Sequence, residues 1–331
     1  MHDGYEAISL ENIRACRDDL GDAIIRTPVI PWQGEHFGAL AGQETQAWFK
    51  LELHQRTGTF KARGALNSVR HLPPASRGAG ITAVSAGNHA IAAAFAARAS
   101  GISAKVVMIK TANAARVARA RSYGAEIVFA DDGPSAFAKA AEIVQSEGRA
   151  MVHPFEGPYV AQGTGTLGLE FAEQVEGLEA VIIAVGGGGL CGGAAAAIKQ
   201  SLPNCEVFGV EPEGADSMRQ SFARGAPVTL QSVKTIADSL APPMSLPYSF
   251  GACRLFVDEI VTVSDDAIRG AMKILFEDVG LAVEPAGAAA TAGLLGPLRE
   301  RLAGKKVGVV ICGSNIDIAS FAEHIRLAPP D

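Results

Sequence analysis

The chain has 331 residues, with 29 Lys and Arg against 35 Asp and Glu, a formal net charge of -6 and 48% hydrophobic against 19% charged residues. That is a globular composition rather than a disordered one, with a length for one large α/β domain or two unequal ones. It lacks a basic footprint for nucleic acid, and no apolar run is long enough for a membrane span, so neither is expected as a partner. In chain order, the first twenty residues are polar and acidic and do not read as a secretory signal. Short β-rich runs at 46–53, 81–85, 104–109, 126–130, 180–185, 206–211 and 306–312 alternate with helical stretches at 60–71, 88–100, 114–122, 134–147 and 285–298. This alternation predicts α/β layers with mostly parallel sheets. The pattern divides the chain into a large domain of 1–75 with 156–331 and a small inserted domain of 76–155. Cys16, Cys191, Cys205, Cys253 and Cys312 are odd in number and scattered, which predicts free thiols in a reducing compartment and a cytoplasmic location.

Four short motifs fall at predicted strand ends or helix starts, where ligands bind in open parallel sheets. Val181 to Val185 reads as a buried strand running into Gly186, Gly187, Gly188 and Gly189, with a helix after Leu190. Consecutive residues without Cβ let N–H groups close around an anion such as phosphate, and the helix dipole adds to the attraction. A tight turn that binds nothing has the same composition. Lys61 follows Thr57-Gly58-Thr59-Phe60 at a helix start. Such a lysine is ordinarily a solvated charge; when desolvated near cations its amine becomes a nucleophile toward carbonyls. Ser85-Ala86-Gly87-Asn88-His89 is either a capped strand-to-helix turn or a carboxylate-binding loop, with His89 read as structural because it has no evident carboxylate partner. Cys312 ends the last strong strand ahead of Gly313-Ser314-Asn315.

Together and in this order, the motifs resemble the fold-type II pyridoxal 5′-phosphate (PLP) enzymes, and within them the serine/threonine dehydratase and serine racemase family. The resemblance runs from Lys50 to Asn315 and, more weakly, over nearly the whole chain. It implies a tryptophan synthase β-like fold of two open, twisted, mostly parallel sheets flanked by helices, and a homodimer or homotetramer. It implies that Lys61 carries PLP as a Schiff base with Phe60 against the ring. It further implies that Asn88 reaches the ring oxygen, that Gly186 to Gly189 and Leu190 hold the phosphate, and that Cys312 stands at the pyridine nitrogen. Ser85, Ala86, Gly87, Asn88 and His89 are the implied binding loop for the substrate carboxylate. Many relatives bind Mg2+ or another divalent cation; Glu211 and the Ala215 carbonyl match that site, but Ser217 stands where a second carboxylate is expected.

The activity implied is elimination of water from a β-hydroxy amino acid, with L-threonine or L-serine as default substrates, giving a 2-oxo acid and ammonia. Serine racemase, or a dehydratase of a bulkier or catabolic 3-hydroxy amino acid, is the alternative. Racemases of this family use a loop serine as the second base, and Ala86 stands there instead. A non-catalytic PLP carrier is disfavoured by the intact lysine, glycine and asparagine motifs. The segment 235–243 is expected to border the side-chain pocket, with Ser239 where relatives commonly have Gly. Relatives that accept dicarboxylic ligands offer an arginine whose match here falls at Ser135-Ala136-Phe137, so the pocket is expected to lack a cation for a second carboxylate.

Overall fold

The computed structural model describes residues 3–33 and 35–330. The elements run α1 (Leu10–Leu20), β1 (Val29–Trp32), α2 (Glu35–Ala41), β2 (Gln46–Leu51), α3 (Lys61–Arg70), α4 (Pro74–Arg77), β3 (Ile81–Val84), α5 (Asn88–Ala99), β4 (Ala104–Ile109), α6 (Ala114–Ser122), β5 (Glu126–Ala130), α7 (Gly133–Glu147) and β6 (Ala150–Met151). The second half continues with α8 (Pro158–Gln174), β7 (Ala180–Ala184), α9 (Gly189–Ser201), β8 (Glu206–Pro212), α10 (Ser217–Arg224), α11 (Pro247–Phe256), β9 (Glu259–Val263), α12 (Asp265–Val279), α13 (Pro285–Leu295), β10 (Lys306–Ile311) and α14 (Ile318–Arg326).

Two sheets form. One has six strands in the order β1-β2-β10-β7-β8-β9, and the other four in the order β5-β4-β3-β6. Every pairing is parallel except β1 with β2. The strands of the small sheet all lie between Ile81 and Met151. β7 shows why parallel strands here read as continuous apolar runs: all five of its residues are buried, because helices cover both faces.

The sequence reading missed α8, and its packing explains why. The helix is buried from Val160 to Phe171, so it lacks the polar stripe that marks an amphipathic helix. It lies backbone to backbone against α9: a Cβ on Gly168 would stand 2.2 Å from the Ala194 carbonyl oxygen, and one on Gly193 2.2 Å from that of Ala161. Only glycine permits this approach.

α8 also completes a buried charge network. The Arg63 guanidinium donates to Glu52 at 2.8 Å and to Glu170 at 2.7 and 2.9 Å. Lys50 Nζ donates to Glu170 at 2.6 Å, and the Thr27 hydroxyl donates to Glu52 at 2.5 Å. All four charged side chains are excluded from water, and their charges balance. Removing one member leaves an uncompensated buried ion. We therefore expect Arg63→Met to lower the unfolding free energy by about 3–5 kcal/mol in urea titration. A loss below about 1 kcal/mol, the worth of an exposed pair, would show that the network does not hold the fold.

Candidate active site

The four motifs converge on one cavity of about 510 Å³, lined among others by Phe60, Lys61, residues 85–89, residues 186–190 and Cys312. The convergence follows from topology, since β3, β7 and β10 all deliver their carboxyl ends to it. Local pairing then joins the first motif to the last. Phe60 N–H donates to the Cys312 carbonyl at 3.2 Å and Ser314 N–H to that of Gly58 at 3.1 Å, and Asn315 Nδ2 donates to the Thr57 carbonyl at 2.9 Å.

Lys61 opens α3, and its Nζ donates to the Pro154 carbonyl at 2.9 Å. Burial pushes its pKa down to about 8, against the opposing pull of Cys312 and Glu284. About a tenth of the amine is therefore uncharged at pH 7, far more than for an exposed lysine. Cys312 Sγ donates to the Ala286 carbonyl at 3.3 Å, and burial raises its pKa far enough to keep the thiol neutral.

The glycine run makes a cradle that side chains would fill. A Cβ on Gly187 would meet the Phe155 ring at 2.2 Å, and one on Gly189 the Phe155 carbonyl oxygen at 2.2 Å. Gly188 adopts φ +91°, which side chains rarely tolerate. α9 opens at Gly189, so its first N–H groups have no acceptor within the helix and remain available to an anion. In the facing turn, Gly87 N–H donates to Ser85 Oγ at 3.1 Å, and Ala86 lines the cavity.

His89 is bound structurally. Its Nε2 lies 2.8 Å from the Val152 carbonyl, so the proton sits on Nε2, and burial pushes its pKa down to about 3. Asn88 is held on three sides. Its Nδ2 donates to Glu284 Oε1 at 2.6 Å and to Ser239 Oγ at 3.1 Å, and its Oδ1 accepts from Asn315 Nδ2 at 2.8 Å. Both of its N–H bonds are thus used within the protein, and the longer one, to Ser239, is the one a ligand oxygen would take over.

The expectation that the pocket holds no cation is corrected. Phe137 is 61% exposed on α7 and does not line the cavity; Arg116, on α6, does. Its guanidinium is already committed: it pairs with Asp238, its Nε donates to the Asn315 carbonyl at 3.1 Å, and a terminal nitrogen lies 3.7 Å from Glu284 Oε2. The 235–243 segment does border the cavity, through Asp238 to Pro242.

The expected cation ligands Glu211 and Ala215 are not cavity residues. The Glu211 carboxylate accepts from the N–H groups of Met218 at 2.9 Å and Arg219 at 2.8 Å, capping the start of α10, and burial pushes its pKa up to about 8. Asp216 is engaged by Arg219 and Gln220. Among the described residues no three His, Cys, Asp or Glu side chains cluster as a metal site.

Sequence reasoning missed Arg116, Phe155 and Glu284. Arg116 reads as one of several helix arginines, Phe155 as one apolar residue in a loop, and Glu284 as a lone acid ahead of Pro285. Only the His-Pro pair before Phe155 and the apolar stretch after Pro285 hint at buried positions.

Comparison with known proteins gives this geometry a family. The chain is 54% identical to the phenylserine dehydratase of Ralstonia pickettii over 279 residues, covering 84% of this chain and 86% of that one. It is 37% identical to a catabolic L-threonine dehydratase of Escherichia coli over 98% of both chains. Maize serine racemase superposes with a TM-score of 0.88 at 33% identity, over 96% of this chain and 97% of that one. The family of pyridoxal-phosphate dependent enzymes matches residues 20–313, and with the lysine, the glycine cradle and both mostly parallel sheets in place, the chain belongs to that family.

Proposed function

We propose that the cavity holds PLP on Lys61 and that the chain is an ammonia-lyase removing water from a 3-hydroxy amino acid with an aromatic β-substituent, of the phenylserine class. The observation that carries this reading is the 54% identity to phenylserine dehydratase. The walls suit it. Ile109, Ala112, Leu240, Ala241 and Pro242 give an apolar flank, and a ring is held chiefly by apolar surface removed from water.

The residues present fit the cofactor. The cradle at 186–189 with the start of α9 offers N–H groups to a phosphate, Lys61 offers a buried amine, and Phe60 offers a ring face. When bound, PLP supplies the electron sink that lets an α-proton and a β-hydroxyl leave. Around it, the protein orients and moves protons. The 85–87 turn and the first N–H groups of α5 bind the substrate carboxylate. Lys61 Nζ takes the α-proton; its lowered pKa makes the free amine available near neutral pH. Cys312, proposed to face the ring nitrogen, stays neutral and supplies no carboxylate charge there. Ala86 offers no group to return a proton on the face opposite Lys61, which favours elimination over racemisation.

The two sheets, with the small one confined to Ile81–Met151, support a division into 1–75 with 156–331 and 76–155. All five cysteines are free, in keeping with a cytoplasmic, reducing setting. No helix among the described residues is long and apolar enough to cross a membrane. We propose a homodimer or homotetramer by likeness to the family.

Ammonia release from L-phenylserine, L-threonine, L-serine and L-threo-3-hydroxyaspartate, compared at equal enzyme, tests the substrate reading. Phenylserine should have the highest kcat/KM. Hydroxyaspartate should be the poorest, because the cavity guanidinium is already paired and a second carboxylate would be buried without a free partner. A higher kcat/KM for hydroxyaspartate than for phenylserine would overturn the pocket assignment.

Gly188→Ala places a Cβ 2.6 Å from Met218 at a positive φ. It should weaken PLP retention about five- to 150-fold in equilibrium dialysis, as roughly 1–3 kcal/mol of backbone strain reshapes the cradle. Undiminished retention would remove the phosphate from this loop. Ala86→Ser should raise the ratio of racemisation to elimination, read by chiral chromatography of serine alongside ammonia release; an unchanged ratio would show that Ala86 does not separate the two activities.

A further inference from the structure

Glu284 is a buried acid of this cavity to which the proposed reaction gives no task. Its side chain lies on the cavity wall and is almost wholly withdrawn from water. Its backbone N–H donates to the Gly313 carbonyl at 3.3 Å, which fixes it at the start of α13 beside the end of β10. One carboxyl oxygen, Oε1, accepts from Asn88 at 2.6 Å. The other, Oε2, is buried and has no hydrogen-bond partner.

The charged and titratable groups that face it are Arg116 from α6, Asp238 from the 235–243 segment, Lys61 from α3 and Cys312 from the end of β10. Arg116 is the natural partner for Oε2, but at 3.7 Å it is too far to bond, and its guanidinium is taken up by Asp238 and the Asn315 carbonyl. As a carboxylate, Glu284 would therefore keep a buried anionic oxygen with no hydrogen-bond donor, its one ion pair being a 3.7 Å contact with a guanidinium shared with Asp238. It would also put that charge beside a ligand carrying a phosphate, a ring oxygen and, with substrate, a carboxylate. As a neutral acid it turns Oε2 from an orphaned acceptor into a donor, and an anionic ligand in the cavity completes it.

We infer that Glu284 works as a neutral acid, positioning the Asn88 amide through Oε1 and offering its Oε2 proton to the anionic ligand of the cavity. This rests on the reading that the cavity holds PLP. Burial is the leading cause of a pKa raised to about 7, with Arg116 opposing it. In the cofactor-free protein the acid form therefore prevails below that pH and is lost above it. Binding above it must take a proton back, and affinity is penalised accordingly.

The test uses the full chain stripped of cofactor and measures PLP retention by equilibrium dialysis at pH 6 and pH 8.5, for the parent, E284Q and E284A. Glutamine mimics the neutral acid, with a carbonyl for Asn88 and an N–H for the ligand. E284Q should bind within about twofold of the parent at pH 6 and roughly thirtyfold tighter at pH 8.5, where only the parent must regain a proton. E284A should bind more weakly than the parent at pH 6, because it loses both the Asn88 contact and the donor. The ligand's own titration cancels in the ratio of parent to E284Q, so a ratio that is equal at the two pH values assigns Glu284 a structural role and overturns the inference. A second measurement requires no variant. The infrared difference spectrum of the parent at pH 8.5, loaded minus free, should gain a protonated-carboxyl stretch, and its absence overturns the inference as well. Failure of the parent to retain PLP at either pH overturns the site reading itself, a result distinct from the other two.

Discussion

The site depends on a lysine being presented at one point by a helix that cannot shift, and the buried charge network supplies that constraint. Arg63 lies two residues beyond Lys61 on α3. Its guanidinium bridges Glu52, just after β2, and Glu170 on α8, while Lys50 on β2 closes the circuit to Glu170. α3 also packs closely on α8, where a Cβ on Gly163 would stand 2.6 Å from the Arg63 carbonyl oxygen. A fork of charge-assisted hydrogen bonds gives it one register. The network costs desolvation and repays it only because its charges balance and its donors are met, which makes it a device of positioning more than of net stability.

From that anchor the cavity is assembled by topology. β3, β7 and β10 end on it, so turns far apart in the chain face one another. The 57–61 segment is stitched to 312–315 by backbone bonds, tying the lysine to the end of the central strand. Arg116 and Asp238 then pair across the cavity, linking α6, beside the small sheet, to the 235–243 segment. The same pair keeps the guanidinium from serving a second carboxylate.

Most of the parallel strands were legible because burial on both faces makes them short apolar runs, as in 180–184 and 306–311. β1 was not, since Pro31 interrupts a four-residue edge strand, nor was β6, which is two residues long, nor β9, an edge strand that is only partly buried. α8 hid because a helix buried on all sides has no period to read. The four motifs could be read because each is local: a glycine run, a lysine at a helix start, and two strand-end turns. Arg116, Phe155 and Glu284 could not, because each owes its place to contacts with distant segments, and nothing in its neighbours announces it. The pocket cation shows the cost of reading by position. The position matched to the relatives' arginine, at 135–137, lies on α7 away from the cavity, and the guanidinium comes instead from α6, the helix after β4.

Lys61 is the residue proposed to carry the cofactor, and chemical trapping tests this most directly. Borohydride reduction of the PLP-loaded protein fixes the phosphopyridoxyl group to whichever lysine bears it, and peptide mass spectrometry locates it. The label is expected on the peptide containing Lys61. A label on any other lysine, or none from protein that retains PLP, would contradict it.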